Sequence, residues 1–228
     1  MRVVTLLAGF LVWSACGGHP SPVPEPARST EDRTASATKS ETAPDARPVI
    51  VAFGDSLTAG FGADPGKSYP DFLQRELDRR GYRYRVANAG ISGETTTDGL
   101  ARLNMVITLK PVVVIVEFGG NDGLRGLPIA TTRRNLDQLV VGLKSSGCGV
   151  LLAGMTLPPN YGADYISGFQ RIYSDLARKD KVVLIPFLLS GVAGTTAYMQ
   201  QDGLHPTAEG NRIVAATVMR YLEPMLGK

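Results

Sequence analysis

The sequence predicts an α/β domain, a three-layer sandwich in which a parallel sheet lies between two layers of helices. Two observations predict it. Short apolar runs rich in β-branched residues recur at 48–53, 83–89, 112–119, 149–156 and 181–187. Such uninterrupted runs are typical of strands that are buried on both faces. Helical patterns separate the runs, and strands that alternate with helices are joined by right-handed crossovers into a parallel sheet.

The predicted helices lie between and after these strands. The first, 68–81, has Ser68 as a candidate N-cap, Pro70 in its first turn and Gly81 as a stop signal. The others occupy residues 96–111, 129–147, 165–180 and 207–226. In an open parallel sheet, ligands bind beyond the carboxyl ends of the strands. We therefore expect the chemistry in the loops that follow the strands.

Three segments of different composition divide the chain. Residues 1–16 read MRVVTLLAGFLVWSAC, an apolar stretch too short to span a bilayer, with small residues before Cys16. This pattern resembles a bacterial lipoprotein signal, in which Cys16 carries a lipid anchor; a plain secretory signal is the alternative. Residues 17–47 are rich in Pro, Ser, Thr and Ala and are predicted to be a disordered tether. Residues 48–228 are the predicted folded domain.

This organisation predicts an exported protein, either a periplasmic or cell-envelope lipoprotein bound to a membrane by its anchor or a secreted soluble protein. The net charge of the 228 residues is only +3, and no basic patch accompanies aromatic residues. Nucleic-acid binding is therefore not expected. The only other cysteine, Cys148, precedes an apolar run and is predicted to be a small buried filler. Two cysteines exclude a cysteine-based structural metal site; we expect no metal, no cofactor and a monomer.

The stretch FGDSLTAGFGADPGKS (53–68) follows the first predicted strand and suggests either a phosphate cradle or a platform for a nucleophile. A P-loop that ends in this GKS requires a glycine where the chain has Phe61. A dinucleotide fingerprint that begins at Gly60 and Gly62 requires a third glycine where the chain has Pro65. Both phosphate-binding patterns fail.

Ser56 stands at the end of the first strand, where Gly54 allows a tight exit turn. A nucleophile at this edge of the sheet is exposed to substrate, but a serine there is more commonly a helix N-cap. The pattern is not the G-x-S-x-G elbow, because Thr58 replaces the second glycine. On these residues alone, both interpretations stay open.

His205 decides between them. The chain has two histidines, and the other lies in the predicted tether. Asp202 precedes His205 by three residues, in a loop before the last helix. This spacing lets the carboxylate accept from the imidazole Nδ1–H, so that Nε2 is free to take a proton from Ser56. The sequence predicts a Ser56–His205–Asp202 triad.

Two further loops supply donors for an oxyanion. Gly93 follows the second strand and offers a backbone N–H, and Asn121 follows the third strand and offers a side-chain amide. With the N–H of Ser56, three donors are predicted, although a glycine turn and an Asx turn are the alternatives for Gly93 and Asn121.

Four blocks carry these residues: FGDSLTAG (Ser56), NAGISGETT (Gly93), FGGNDGLRGLP (Asn121) and DGLHP (Asp202, His205). In this order they resemble the GDSL/SGNH hydrolase superfamily, most of all its bacterial group of multifunctional thioesterases, arylesterases and lysophospholipases. The resemblance implies a flavodoxin-like, five-stranded parallel sheet. It implies hydrolysis of esters and thioesters through an acyl-serine, without a metal. Asp55 belongs to the signature and is assigned structural hydrogen bonding.

The resemblance also implies a pocket for the acyl chain. The segment 123–128, with Leu124 and Leu127, is similar to a mobile loop that meets this chain, and Pro158 and Tyr161 are expected to wall the pocket. We therefore expect a serine esterase for short- or medium-chain and aryl esters, with lysophospholipids and thioesters as further substrates. A carbohydrate O-acetylesterase on the same fold is the alternative, and a lipid-anchored domain that only binds is a more distant one.

Overall fold

The computed structural model describes residues 45–227. Five parallel strands form one sheet in the order β2-β1-β3-β4-β5. Their bounds are β1 Val49–Gly54, β2 Arg85–Gly90, β3 Val113–Glu117, β4 Gly149–Ala153 and β5 Val183–Ile185. The five-stranded parallel sheet is confirmed. The predicted signal segment with Cys16, and residues 17–44 of the predicted tether, lie outside the described residues.

Eight α-helices are present in the described part of the chain: α1 Ser56–Ala59, α2 Tyr69–Arg79, α3 Thr96–Ala101, α4 Leu103–Thr108, α5 Gly120–Leu124, α6 Ile129–Ser145, α7 Ala163–Asp180 and α8 Ala208–Leu222. Helix α2 packs against α8, and α6 packs against α3 and α7. The two groups of helices cover the sheet, as right-handed crossovers require. No helix in residues 45–227 is long and apolar enough to cross a bilayer.

The hydrophobic core surrounds the central strands. Every residue of β1 and of β3 is buried, which explains why these strands have runs of Val, Ile and Phe without polar alternation. Cys148 is a buried free thiol whose Sγ contacts the carbonyl oxygen of Leu143 at 3.2 Å, so the prediction of a small buried filler is confirmed.

The start of α2 follows its sequence signal. The Ser68 hydroxyl and the Asp71 carboxylate form a reciprocal capping box, with Pro70 in the first turn.

At the other end of the domain, the Tyr84 hydroxyl donates to the carbonyl oxygen of Gly227 at 3.1 Å. The carboxyl-terminal end of the domain therefore lies beside the amino end of β2.

Two predicted elements differ from the structure. The predicted helix 96–111 is interrupted at Arg102, whose φ of −108° and ψ of 13° separate α3 from α4. The interruption turns the Arg102 side chain inward, where it pairs with Glu94. The strand predicted over 181–187 is only three residues long, and the chain leaves the sheet at Pro186, because proline has no N–H to donate to a neighbouring strand.

Candidate active site

Ser56 lies at the carboxyl end of β1, as the first residue of the single-turn helix α1. Asp55 caps this helix: its Oδ1 accepts the backbone N–H of Leu57 at 3.1 Å. The cap fixes the direction in which α1 begins and therefore the direction in which the Ser56 side chain leaves the backbone.

Gly54 is needed for a reason that the sequence interpretation missed. Its φ is not positive, so a special turn conformation is not what requires glycine. A Cβ at this position would lie 2.2 Å from Thr58 Oγ1 and 2.5 Å from Glu117 Oε2. Gly54 therefore leaves space for a hydroxyl and a carboxyl directly beneath the turn that carries Ser56.

The loop before α8 brings His205 to Ser56. An antiparallel bridge between Met199 and Pro206 closes the base of this loop. His205 Nε2 lies 2.8 Å from Ser56 Oγ, and Nδ1 lies 2.6 Å from Asp202 Oδ2. The Asp202 Oδ1 accepts the backbone N–H of Leu204 at 2.9 Å and that of His205 at 3.0 Å. The three residues of the predicted triad thus form one continuous chain of hydrogen bonds.

The pKa of the Asp202 carboxyl reflects these contacts. Partial burial acts to raise it, but the hydrogen bonds from the side chain and backbone of His205 and from the backbone of Leu204 outweigh burial and lower the pKa to about 2. Asp202 is therefore ionised at neutral pH, which is the state that accepts a hydrogen bond from Nδ1–H.

The two other predicted oxyanion donors line the same cavity as Ser56. Gly93 has a φ of +84°, a left-handed conformation that favours glycine. The Asn121 amide is not free: its Nδ2 donates to Asp55 Oδ2 at 3.1 Å and to the carbonyl oxygen of Glu94 at 2.8 Å. To bind the Asn121 amide, an oxyanion has to share one of these two N–H donors with its present acceptor or displace that acceptor.

Two arginines hold the loop that carries Gly93. Arg125 Nη2 donates to the carbonyl oxygen of Gly93 at 2.8 Å. Arg102 pairs with Glu94 from below and donates to the carbonyl oxygen of Gly54 at 3.1 Å. Arg102 thereby joins this loop to the end of β1, and the positions of two predicted oxyanion donors are fixed relative to each other.

A cavity of about 580 Å³ opens beside Ser56 and His205, a size typical of small-molecule sites. Among the predicted wall residues, Leu124 and Pro158 line it. Leu127 and Tyr161 do not line it: the Tyr161 hydroxyl instead donates to the carbonyl oxygen of Leu124 at 2.8 Å. In residues 45–227, no cluster of His, Cys, Asp or Glu could hold a metal ion.

Residues 52–213 match the GDSL-like lipase/acylhydrolase family. The chain belongs to this family. Esterase TesA of Pseudomonas aeruginosa is 42% identical over 78% of this chain and 89% of that protein. An arylesterase of Vibrio mimicus is 39% identical over 76% of this chain and 87% of that protein. The Escherichia coli protein called thioesterase 1/protease 1/lysophospholipase L1 is 36% identical over 78% of this chain and 84% of that protein.

Solved structures of GDSL-family enzymes have the same fold. The crystal structure of TesA matches with a TM-score of 0.76 at 42% identity, over 78% of this chain and 99% of that one. AlinE4, an esterase of the SGNH-hydrolase family, matches with a TM-score of 0.67 at 43% identity, over 80% and 98% of the two chains. Like these relatives, this member of the GDSL family is a carboxylic ester hydrolase.

Sequence reasoning missed several residues of this GDSL-family site. The ring of Phe61 lies 4.7 Å from the His205 ring, centroid to centroid, and Phe61 is 51% exposed. Leu204, directly before His205, is 40% exposed and also lines the cavity. Met155 is buried and lines the same cavity. An aromatic residue inside a glycine-rich loop was the available signal for Phe61, whereas Met155 looked like any other core residue.

Proposed function

We propose that this protein hydrolyses carboxylic esters through an acyl-enzyme formed on Ser56. The observation that supports this most strongly is the continuous chain of hydrogen bonds from Ser56 through His205 to Asp202 at the mouth of a largely apolar cavity. The same three groups, arranged in this way, suit a serine nucleophile, its general base and the carboxylate that orients the base.

In the first half-reaction, Ser56 Oγ attacks the carbonyl carbon while His205 Nε2 takes the hydroxyl proton. The tetrahedral intermediate collapses when His205 gives that proton to the leaving oxygen and the C–O bond breaks. The alcohol departs and the acyl group stays on Ser56. In the second half-reaction, water attacks the acyl group, His205 again takes a proton and then returns it to Ser56 Oγ, and the acid leaves.

The negative charge on the carbonyl oxygen is stabilised by the N–H groups of Ser56 and Gly93 and by the amide of Asn121. Each such donor is worth roughly 10²–10³ in kcat in enzymes of this type. Asn121 contributes when the oxyanion takes over the hydrogen bond that Asp55 or Glu94 accepts in the free enzyme.

The walls of the cavity favour apolar substrates. On the side of His205, where the leaving group receives its proton, the exposed apolar side chains of Phe61 and Leu204 line the cavity. Elsewhere Leu124, Met155 and Leu157 offer apolar surface to an acyl chain. We therefore propose short- or medium-chain esters and aryl esters as substrates, with lysophospholipids and thioesters as further ones; the names of the bacterial relatives are consistent with each class.

We propose export of the protein, bound to a membrane by Cys16 as a monomeric lipoprotein. The sequence pattern of residues 1–16 supports this. Outside the cytoplasm acyl-CoA is scarce, so esters and lysophospholipids are better candidates than thioesters for the natural substrate.

The test is hydrolysis of p-nitrophenyl esters from acetate to palmitate by the wild type, Ser56→Ala and Ser145→Ala. Ser145 lies in α6 and outside the cavity, so Ser145→Ala is the matched control. We expect a maximum at about six to ten acyl carbons and a loss of roughly 10⁴-fold or more in Ser56→Ala. Activity on acetate alone would favour the O-acetylesterase, and retained activity in Ser56→Ala would refute the mechanism.

A further inference from the structure

Glu117, the last residue of β3, is a fully buried acid directly beneath the nucleophile turn. Its Oε2 accepts the Asp55 N–H at 3.2 Å and the Thr58 hydroxyl at 2.8 Å. Within residues 45–227, its Oε1 has no hydrogen-bond partner. An unpaired oxygen of a buried carboxylate is costly, and an apolar residue would fill this position at lower cost. A buried glutamate at this position therefore calls for a functional explanation.

A proton on Glu117 removes the anomaly. Burial raises the pKa of the Glu117 carboxyl well above its usual value, and the nearby charge of Asp55 raises it further. Burial also raises the pKa of Asp55, to about 6, against the hydrogen bonds that Asp55 accepts. The two acids are direct neighbours, because Glu117 Oε2 accepts the backbone N–H of Asp55 at 3.2 Å. A protonated Glu117 can donate to an ionised Asp55, and one proton then serves both acids.

The contacts of Asp55 connect Glu117 to the oxyanion site. Asp55 Oδ2 accepts from the amide of Asn121, and Asp55 Oδ1 caps the helix that begins with Ser56. Asp55 thus connects Glu117 to Asn121: its backbone N–H donates to Glu117, and its carboxylate accepts from the Asn121 amide. The absence of a Cβ at Gly54 makes the space in which the Glu117 carboxyl lies.

We propose that Glu117 is a positioning residue: its protonated carboxyl holds the Asp55 carboxylate in place, and Asp55 in turn aims the Asn121 amide at the oxyanion. Glu117 does not line the cavity, and its hydrogen bonds go to Asp55 and Thr58 rather than to Ser56. We propose that its effect on the oxyanion site passes through Asp55. This inference rests on the proposed function, because it concerns the same oxyanion site.

Other titratable and charged groups surround the pair. They come from four further parts of the fold: Tyr69 (α2), Tyr173 (α7), Arg102 (between α3 and α4) and His205 (before α8). Burial raises the pKa of Tyr69 and Tyr173, and the charge of Glu117 raises both further. Both tyrosines are therefore held in their neutral form, and Arg102 is paired with Glu94.

The first experiment compares Glu117→Gln, Glu117→Leu and the wild type on a p-nitrophenyl ester, with thermal unfolding measured alongside. Glutamine keeps an acceptor for Asp55 N–H and a permanent donor for the Asp55 carboxylate, so we expect its kcat to stay near that of the wild type. Leucine removes both, and we expect kcat to fall about 10- to 100-fold with little change in KM. Tyr69→Phe, which removes only a hydroxyl 3.2 Å from Thr58 Oγ1, is the matched control and should keep its kcat.

The second experiment uses Asn121→Ala as a background. If Glu117 acts through Asp55 on Asn121, Glu117→Leu should cost less than about threefold in kcat once the amide is gone. Equal losses in both backgrounds would overturn the proposal, and so would a Glu117→Gln enzyme as slow as Glu117→Leu. Each comparison first requires that the wild type hydrolyses the ester and that Ser56→Ala does not. If this requirement is not met, the proposed function fails, and the result says nothing about Glu117.

The third readout is pH, which keeps the proposal testable if Glu117→Leu does not fold. A carboxyl whose pKa is raised in the folded state stabilises the fold below its ordinary pKa, and this contribution is lost as pH rises through the raised value. As pH rises through this raised pKa, Glu117 in the wild type loses the proton that it donates in a hydrogen bond to Asp55, and two like charges then face each other. We expect the kcat and the unfolding temperature of the wild type to fall relative to Glu117→Gln as pH rises. Parallel pH profiles for the two proteins would contradict the shared proton.

Discussion

At the scale of single residues, the site depends on which ring nitrogen of His205 carries the proton. Nδ1 lies 2.6 Å from a carboxylate that also accepts two backbone N–H groups of its own loop. The Asp202 carboxylate therefore both shapes the loop and selects the tautomer in which Nε2 can accept from Ser56. These two roles can be separated by mutation.

Asp202→Asn should separate them. The amide oxygen can still accept the backbone N–H groups of Leu204 and His205, while the amide nitrogen faces Nδ1 and forces the wrong tautomer. We expect the unfolding temperature to change little and kcat/KM to fall roughly 10⁴-fold. Steady-state kinetics and thermal unfolding check this; Asp202→Ala, which removes the loop contacts as well, is the comparison. Near-normal kcat/KM in Asp202→Asn would mean that the carboxylate serves only the loop.

At the scale of elements, the loop after α5 is held by two tyrosines of the segment that enters α7. The Tyr161 hydroxyl donates to the carbonyl oxygen of Leu124, and the Tyr165 hydroxyl donates to that of Leu127, each at 2.8 Å. Only the first of these carbonyls belongs to a residue that lines the cavity. Tyr161 thus supports the cavity wall from behind, where the sequence predicted direct contact with substrate.

Tyr161→Phe should therefore affect long substrates more than short ones. It removes one hydrogen bond, worth about 1 kcal/mol or roughly fivefold, and frees the wall at Leu124 while the ring stays. We expect KM for the octanoate ester to rise by about this factor and KM for the acetate ester to stay the same. Tyr165→Phe is the matched control, because the residue it releases does not line the cavity. Equal changes for both esters would show that Tyr161 does not support the acyl wall.

At the scale of the whole molecule, the sheet was predictable because β1 and β3 are buried on both faces and their side chains follow from that alone. The hydrogen-bonded arrangement of Ser56, His205 and Asp202 was predictable because the folded domain has a single histidine. The break at Arg102 and the pairing of Glu117 with Asp55 depend on contacts with residues that are distant in the sequence. Local periodicity carries no signal for such contacts. For the pairing of Glu117 with Asp55, the visible sign in the sequence was an acid, Glu117, at the end of an apolar strand.

Attachment to a membrane is also a property of the whole molecule, and Cys16→Ser tests it. If Cys16 is lipidated, the wild type should sediment with the membrane fraction and need detergent for release, whereas Cys16→Ser should be recovered in the soluble exported fraction. Activity per molecule should be equal in the two fractions. A wild type that is soluble without detergent would indicate a plain secretory signal.

Both ends of the folded domain leave it on the side away from the cavity. β1 has six residues, roughly 20 Å at about 3.3 Å per residue, and Ser56 follows its far end; the Tyr84–Gly227 hydrogen bond keeps the last residues near the amino edge of the sheet. For enzyme engineering, a resin, a surface or a fused carrier protein can be joined at either end of the folded domain, before β1 or after Gly227, without obstructing the entrance. The same polarity makes either end a poor place for a reporter intended to sense substrate entry.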